Sequence, residues 1–152
     1  MRSGGRLPKG HRPPVRSNRS GFFLSVLACA YLDIGELCQA AATLDEALSV
    51  ATEARAQYFF PEVLRTKGKL LFLQDPDHPE AAQACFQQAV TAARDQGAKS
   101  LELRAATSLA RLWRDQGKHT EARDLLAPVY GWFTEGLGTR DLKEAKALLA
   151  EL

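Results

Sequence analysis

The chain is poor in the residues that most often carry chemistry. It has three cysteines and three histidines in 152 residues. Cys29, Cys38 and Cys85 form no CxxC pair and no metal-ligand spacing, and their odd, sparse number fits reduced thiols rather than a disulfide framework. His78 and His119 each open a helical segment and His11 lies near the start, so no two share a helix face with a carboxylate and no metal site is expected. Ser25, Ser49, Ser100 and Ser108 lack the glycine-flanked turn that exposes a nucleophile. No glycine-rich loop ends in GK[ST], and no alternating pattern marks a strand. These absences predict an all-α chain with no catalytic site, no cofactor and no metal.

Acid is also missing from one region. Residues 1–20 hold Arg2, Arg6, Lys9, Arg12, Arg16 and Arg19 and no carboxylate, so the remainder carries 14 of the 20 basic and all 18 acidic residues, a net of −4. With Pro8, Pro13, Pro14 and three glycines, this segment cannot bury enough apolar surface to offset its ordering entropy, which predicts a disordered basic tail. Such a tail could contact nucleic acid or anionic lipid, but it has no interleaved aromatics to stack bases. The apolar run Gly21–Leu32 behind it has signal-peptide length, and Val26-Leu27-Ala28-Cys29 resembles a lipoprotein cleavage box with leucine in place of a small residue. The run is too short to span a bilayer. A secreted or lipid-anchored protein is therefore an alternative, as is a nucleic-acid or membrane contact through the tail. A cytoplasmic location is the principal expectation.

What the chain does have is repetition. Leu24, Leu27, Ala28, Tyr31, Gly35, Ala40, Leu44 and Ala47 return 82 positions later as Ala106, Leu109, Ala110, Trp113, Gly117, Ala122, Leu126 and Val129. A middle copy reads Leu64, Gly68, Leu71, Ala82, Phe86 and Ala89, lengthened by two residues between Gln74 and Pro79. This register marks Leu24 to Tyr31 as a helix of the folded array, which argues against a cleaved leader. Repetition at this period predicts stacked helical pairs that shelter each other's apolar faces. The units are 21–55, 58–96 and 99–134, within a domain of 21–152. Their helices are expected at 21–34, 37–55, 58–73, 78–96, 99–116 and 119–134, with a capping helix at 140–151. Ala28, Gly68 and Ala110 should lie where the two helices of a unit cross, and Leu44, Phe86 and Leu126 at the junctions between units.

The ends differ. Asp141 and Glu144 have capping-box spacing, and Leu142, Ala145, Leu149 and Leu152 fall on one face of the last helix with Lys143, Glu144, Lys146 and Glu151 on the others. Phe22, Phe23, Leu24, Val26 and Leu27 give the first helix apolar surface on more than one side, which predicts docking or self-association at that edge.

The order large, Leu, small, aromatic, Gly, Ala, large, Ala resembles the tetratricopeptide repeat, a helix–turn–helix protein-binding module. The likeness covers about 21–134. The middle copy departs from it, with Lys67 at an apolar position and Asp75-Pro76-Asp77 in place of the turn glycine. The string from Ser100 to Gly136, with DLKEAKALL after it, resembles the C-terminal repeats of bacterial signalling proteins that carry cyclase and ATPase domains ahead of them. The resemblance implies a right-handed helical-hairpin solenoid of three pairs plus a cap. It further implies a non-catalytic protein–protein interaction scaffold, a C-terminal regulatory segment of such a protein.

In that family the first helix of each unit lines the concave surface. Carried over, that face offers Glu62, Arg65, Lys69, Arg104, Thr107, Arg111 and Arg114. Arg65 with Lys69, and Arg104 with Arg111, lie one and two helical turns apart on shared faces. Such cations could hold the carboxylates of an acidic peptide or protein. The plain alternative is a solvated face with local pairs such as Arg111 with Asp115.

Overall fold

The structure, a computed structural model, describes residues 19–52 and 57–152. Among these the chain is helical throughout: α1 (Arg19–Asp33), α2 (Leu37–Ala51), α3 (Phe60–Gln74), α4 (Glu80–Asp95), α5 (Lys99–Asp115), α6 (His119–Gly131) and α7 (Arg140–Glu151). A 3-10 turn, Gln57–Phe59, leads into α3. No strand occurs among the described residues.

Glycine sets two of the hairpins. Gly35 and Gly117 have φ of 80° and 78°. At each, the residue after glycine donates its N–H to a carbonyl five positions back: Glu36 to Tyr31 at 2.8 Å and Lys118 to Trp113 at 2.8 Å. This closes the last helical turn with a left-handed residue at no Cβ cost. The α3–α4 turn has no glycine and runs through Asp75 to Pro79 instead. Pro61 falls in the first turn of α3, where its missing N–H leaves nothing unpaired. Pro79 was expected inside the next helix but stands just before it, its carbonyl accepting from the N–H of Gln83 at 2.8 Å.

Other boundaries shift as well. The first helix begins at Arg19, two residues inside the expected basic tail, and the rest of that tail lies outside the described residues. The expected end of α2 at residue 55 lies outside them too. Helix α6 stops at Gly131 rather than 134 and holds Pro128 in its last turn, where the missing N–H leaves the Asp124 carbonyl without its helical donor. The capping box at Asp141 does not form. The helix keeps its expected bounds, Arg140–Glu151, but an extended Thr139 stands at its N-cap, and Glu144 accepts from Arg140 Nε at 2.7 Å instead.

Packing follows the repeated residues. Ala28, Ala40, Ala82, Ala110 and Ala122 are buried, as are Leu44, Phe86 and Leu126. A Cβ on Gly68 would stand 2.7 Å from the Phe86 ring, so α3 and α4 approach through glycine. Tyr31, Leu71 and Trp113 are half-buried beside these crossings. Leu27 departs from the register: its counterpart Leu109 is buried, but Leu27 is 44% exposed, because none of the described helices covers that side of α1. In α7 the buried set is Leu142, Ala145 and Leu148; Leu149 and Leu152 are half-buried.

Each helix packs on the next in sequence, and the odd helices also touch in series, α1 on α3, α3 on α5 and α5 on α7. This makes a continuous inner row of odd helices. The core forms two clusters. One joins α1, α2 and α3 through Ala28, Leu44, Ala47, Val63 and Leu70; the other joins α3 to α7 around Leu64, Phe86, Leu109 and Leu126. Helix α3 belongs to both.

Candidate functional site: a charged groove along the odd helices

A groove of about 430 Å³ runs along the inner row, bounded by α1, α3, α5 and α7. Its lining includes four of the expected cations, Arg65, Lys69, Arg104 and Arg111, together with Thr107. The helical spacing brings them together: equivalent positions on successive odd helices, such as Lys69 and Arg111, project into one channel.

The expected residues have unequal freedom. Glu62 is 5% exposed and lies behind the groove. It accepts two hydrogen bonds from Arg65, Nη2 at 2.6 Å and Nε at 3.0 Å, and contacts Arg104 Nη2 at 3.1 Å. Burial works to lower the Arg65 pKa, but the hydrogen bonds and charge of Glu62 outweigh it and hold the guanidinium above its ordinary value. Arg65 therefore neutralises a buried acid, and losing it would strand that charge. Thr107 is buried and its hydroxyl donates to the Leu103 carbonyl at 2.7 Å. Both belong to the wall.

Lys69, Arg104 and Arg111 face solvent more openly. Lys69 Nζ meets Asp33 at 2.9 Å across α1 and α3. Arg104 Nε reaches Asp141 only at 3.7 Å, and Arg111 meets Glu144 at 3.0 Å. The local pair expected between Arg111 and Asp115 does not form; Asp115 accepts from Arg114 at 3.0 Å, while Arg111 reaches across to α7. Arg114 also pairs with Glu151 and sits outside the main groove, in an adjoining depression of about 240 Å³ with Arg111, Phe72 and Phe86. Glu144 is held below the usual carboxylate range by its hydrogen bond from Arg140, against opposing burial, with Arg111 adding to the effect.

The walls from α1 and α7 were not foreseen. Cys29, Asp33, Arg140, Asp141 and Glu144 all line the groove. The repeat register contains the signal for α1, since Cys29 occupies the position of Lys69 and Arg111 in its own unit. Nothing in the repeat signals α7, which breaks the pattern. Cys29 Sγ lies 3.5 Å from Thr66 Oγ1 and 3.8 Å from Arg65 Nη2.

A second buried acid stands apart. Glu102 is 2% exposed and bonds Arg94 at 2.8 Å and Lys99 at 3.0 Å. Burial pushes its pKa up, yet these two partners outweigh burial and leave it below the usual range. It ties α4 to the start of α5 and does not line the groove.

Among the described residues no group of three or more histidine, cysteine, aspartate and glutamate side chains is placed to hold a metal ion. No described helix is long and apolar enough to cross a membrane. No family model, curated protein or solved structure matches the chain.

Proposed function

We propose that this chain is a non-catalytic interaction module that holds an acidic peptide segment of a protein partner along its odd helices. The finer architecture in this reading is a right-handed tetratricopeptide-like solenoid. Its setting is the regulatory C-terminal part of a bacterial cytoplasmic signalling protein. One observation carries the peptide reading: the groove lining has five cations, Arg65, Lys69, Arg104, Arg111 and Arg140, against three carboxylates, Asp33, Asp141 and Glu144, and with Arg65 committed to buried Glu62 one cation remains in excess. A surplus of guanidinium and ammonium groups lining a channel between rigid helices suits a chain bearing carboxylates, which each accept charge-assisted hydrogen bonds. The long contact between Arg104 and Asp141, and the exposed pair of Lys69 and Asp33, are the interactions a ligand displaces most easily, because exposed pairs contribute about 0–1 kcal/mol.

The test is anisotropy of fluorescently labelled Asp/Glu-rich peptides with the whole chain. Charge reversal at Arg104 is a poor probe because it would face buried Glu62. Lys69→Glu with Arg111→Glu leaves the buried pair intact. The double variant should weaken binding at least about tenfold, since a hydrogen bond to a charged group contributes roughly 1.5–3 kcal/mol. Unchanged affinity in the double variant, or no binding by the unaltered chain, removes the groove from the function.

A further inference from the structure

The outer side of α1 carries an apolar seam. Phe23, Leu27, Ala30 and Ile34 are all exposed, at 62%, 44%, more than a third, and 71% for the named large residues and alanine in turn, and Val26 beside them is 50% exposed. The spacing 23, 27, 30, 34 alternates four and three, the period of a coiled-coil seam. The helical ladder reaches its last member, since Ile34 N–H donates to the Ala30 carbonyl at 3.2 Å. These residues lie opposite Gly21, Ser25, Ala28 and Leu32, which are buried in the fold. Helix α1 therefore has two apolar faces, one used and one bare.

The internal repeat shows that this side of an odd helix is built to be covered. The counterparts of Phe23 and Val26 are Val63 and Thr66 on α3, both 0% exposed, and Ala105 on α5 is likewise 0% exposed. On α3 this side faces the preceding pair: Thr66 Oγ1 lies 3.5 Å from Cys29 Sγ of α1, and Val63 belongs to the cluster of α1 and α2. Charge then selects the occupant. In α1 only the end residues Arg19 and Asp33 are charged, whereas α3 carries Glu62, Arg65, Lys67 and Lys69, and α5 carries six charges from Lys99 to Asp115. An antiparallel two-fold contact brings the residues beside its axis near their own copies, so a charge at Leu27 or Ala30 would meet its like; both positions are apolar. The register is self-complementary. With α1 antiparallel to its copy, Phe23 opposes Ile34 and Leu27 opposes Ala30, large against large at both ends and large against small at the centre. At the other end of the described fold α7 packs on α5 and α6 and buries Leu142, Ala145 and Leu148.

We infer that a second copy of this chain docks on the Phe23–Leu27–Ala30–Ile34 seam, forming a closed two-fold dimer through antiparallel α1 helices.

The experiment is sedimentation equilibrium of the full chain from micromolar to submillimolar concentration. The expected result is a monomer passing to twice the chain mass and no further. Leu27→Lys and Leu27→Glu, at an exposed position, should each remain monomeric with unchanged helical circular dichroism. Mixed in equal amounts they should recover twice the mass, because the two position-27 side chains lie about 4.5 Å apart along the axis in this register. Ile34→Lys, beyond the end of α1, is the second probe and should also be monomeric. A monomer at every concentration, a mass that keeps growing, or a dimer untouched by both Leu27 and Ile34 substitutions overturns the pairing. An unaltered chain that stays monomeric but floats with phosphatidylcholine vesicles also overturns it, and assigns the seam to lipid.

Discussion

Gly68 shows how a single absent methyl sets a helix crossing. An alanine there gains helix propensity, about 1 kcal/mol in an open helix. Its Cβ would however lie 2.7 Å from Phe86 Cε1 and 3.1 Å from the Ala82 carbonyl oxygen. Phe86 is 5% exposed and enclosed by the larger cluster, so its ring has little room to yield. Overpacking of this kind costs roughly 1–3 kcal/mol and exceeds the propensity gain. Gly68→Ala should therefore lower the melting temperature, whereas Gly21→Ala, whose Cβ would meet Val50 at an ordinary 3.8 Å, should hold or raise it. Thermal melts of the two variants side by side check the contrast. A Gly68→Ala protein as stable as the unaltered chain would mean that α3 and α4 do not cross this closely.

At the scale of the helix, α7 has two tasks. Leu142, Ala145 and Leu148 close the larger cluster, while Arg140, Asp141 and Glu144 form one wall of the groove. Leu148→Asp places an unpaired carboxylate at a 2% exposed site and should cost several kcal/mol, about 3 or more. Detachment of α7 would also leave Arg111 without Glu144 and Arg114 without Glu151. The expected readout is a lower, broader melt with faster amide exchange across Arg140–Glu151; exchange unchanged there would contradict the closure. This helix also marks the limit of what the sequence displays. Apolar spacing located its buried stripe closely, missing that Leu148 rather than Leu149 goes deepest, because the two leucines flank the same apolar arc and spacing does not say which edge the core covers. Its cap and its charged wall were not legible. Thr139 and Arg140 precede the periodic residues, and Glu144 finds its partner 33 positions back, on Arg111. Of the repeated apolar residues, Leu24, Tyr31, Leu71 and Trp113 are half-buried and Leu27 is exposed while the others are buried, since register reports what a helix is shaped to meet and not whether anything is there. Ion pairs between remote helices follow side-chain reach, which periodicity does not encode.

Over the whole molecule the two clusters divide the core at α3. The smaller rests on alanines, Ala28, Ala40, Ala47 and Ala51, with Leu32, Leu44, Val63 and Leu70. The larger gathers Leu64, Phe86, Leu103, Leu109, Leu126 and Leu142 with four helices besides α3. Apolar burial scales with the area removed from water, so the larger assembly is the more stable partner. In arrays whose parts contact only their neighbours, the weaker end opens first. Hydrogen exchange at low concentration should show α1 and α2 exchanging ahead of α4 and α5. Uniform protection through all seven helices would instead report one cooperative core.

The inner row has a further property as a surface. Asp33, Asp141 and Glu144 already occupy Lys69, Arg104 and Arg111, so most of the channel's positive charge is met from within, like an ion-exchange resin loaded with its own acid. An incoming carboxylate swaps places with a resident one, and the net electrostatic gain of each swap is small. Selectivity in such a surface comes from matching several swaps at once, so a ligand with correctly spaced acids prevails over a polyanion of greater charge and poorer spacing.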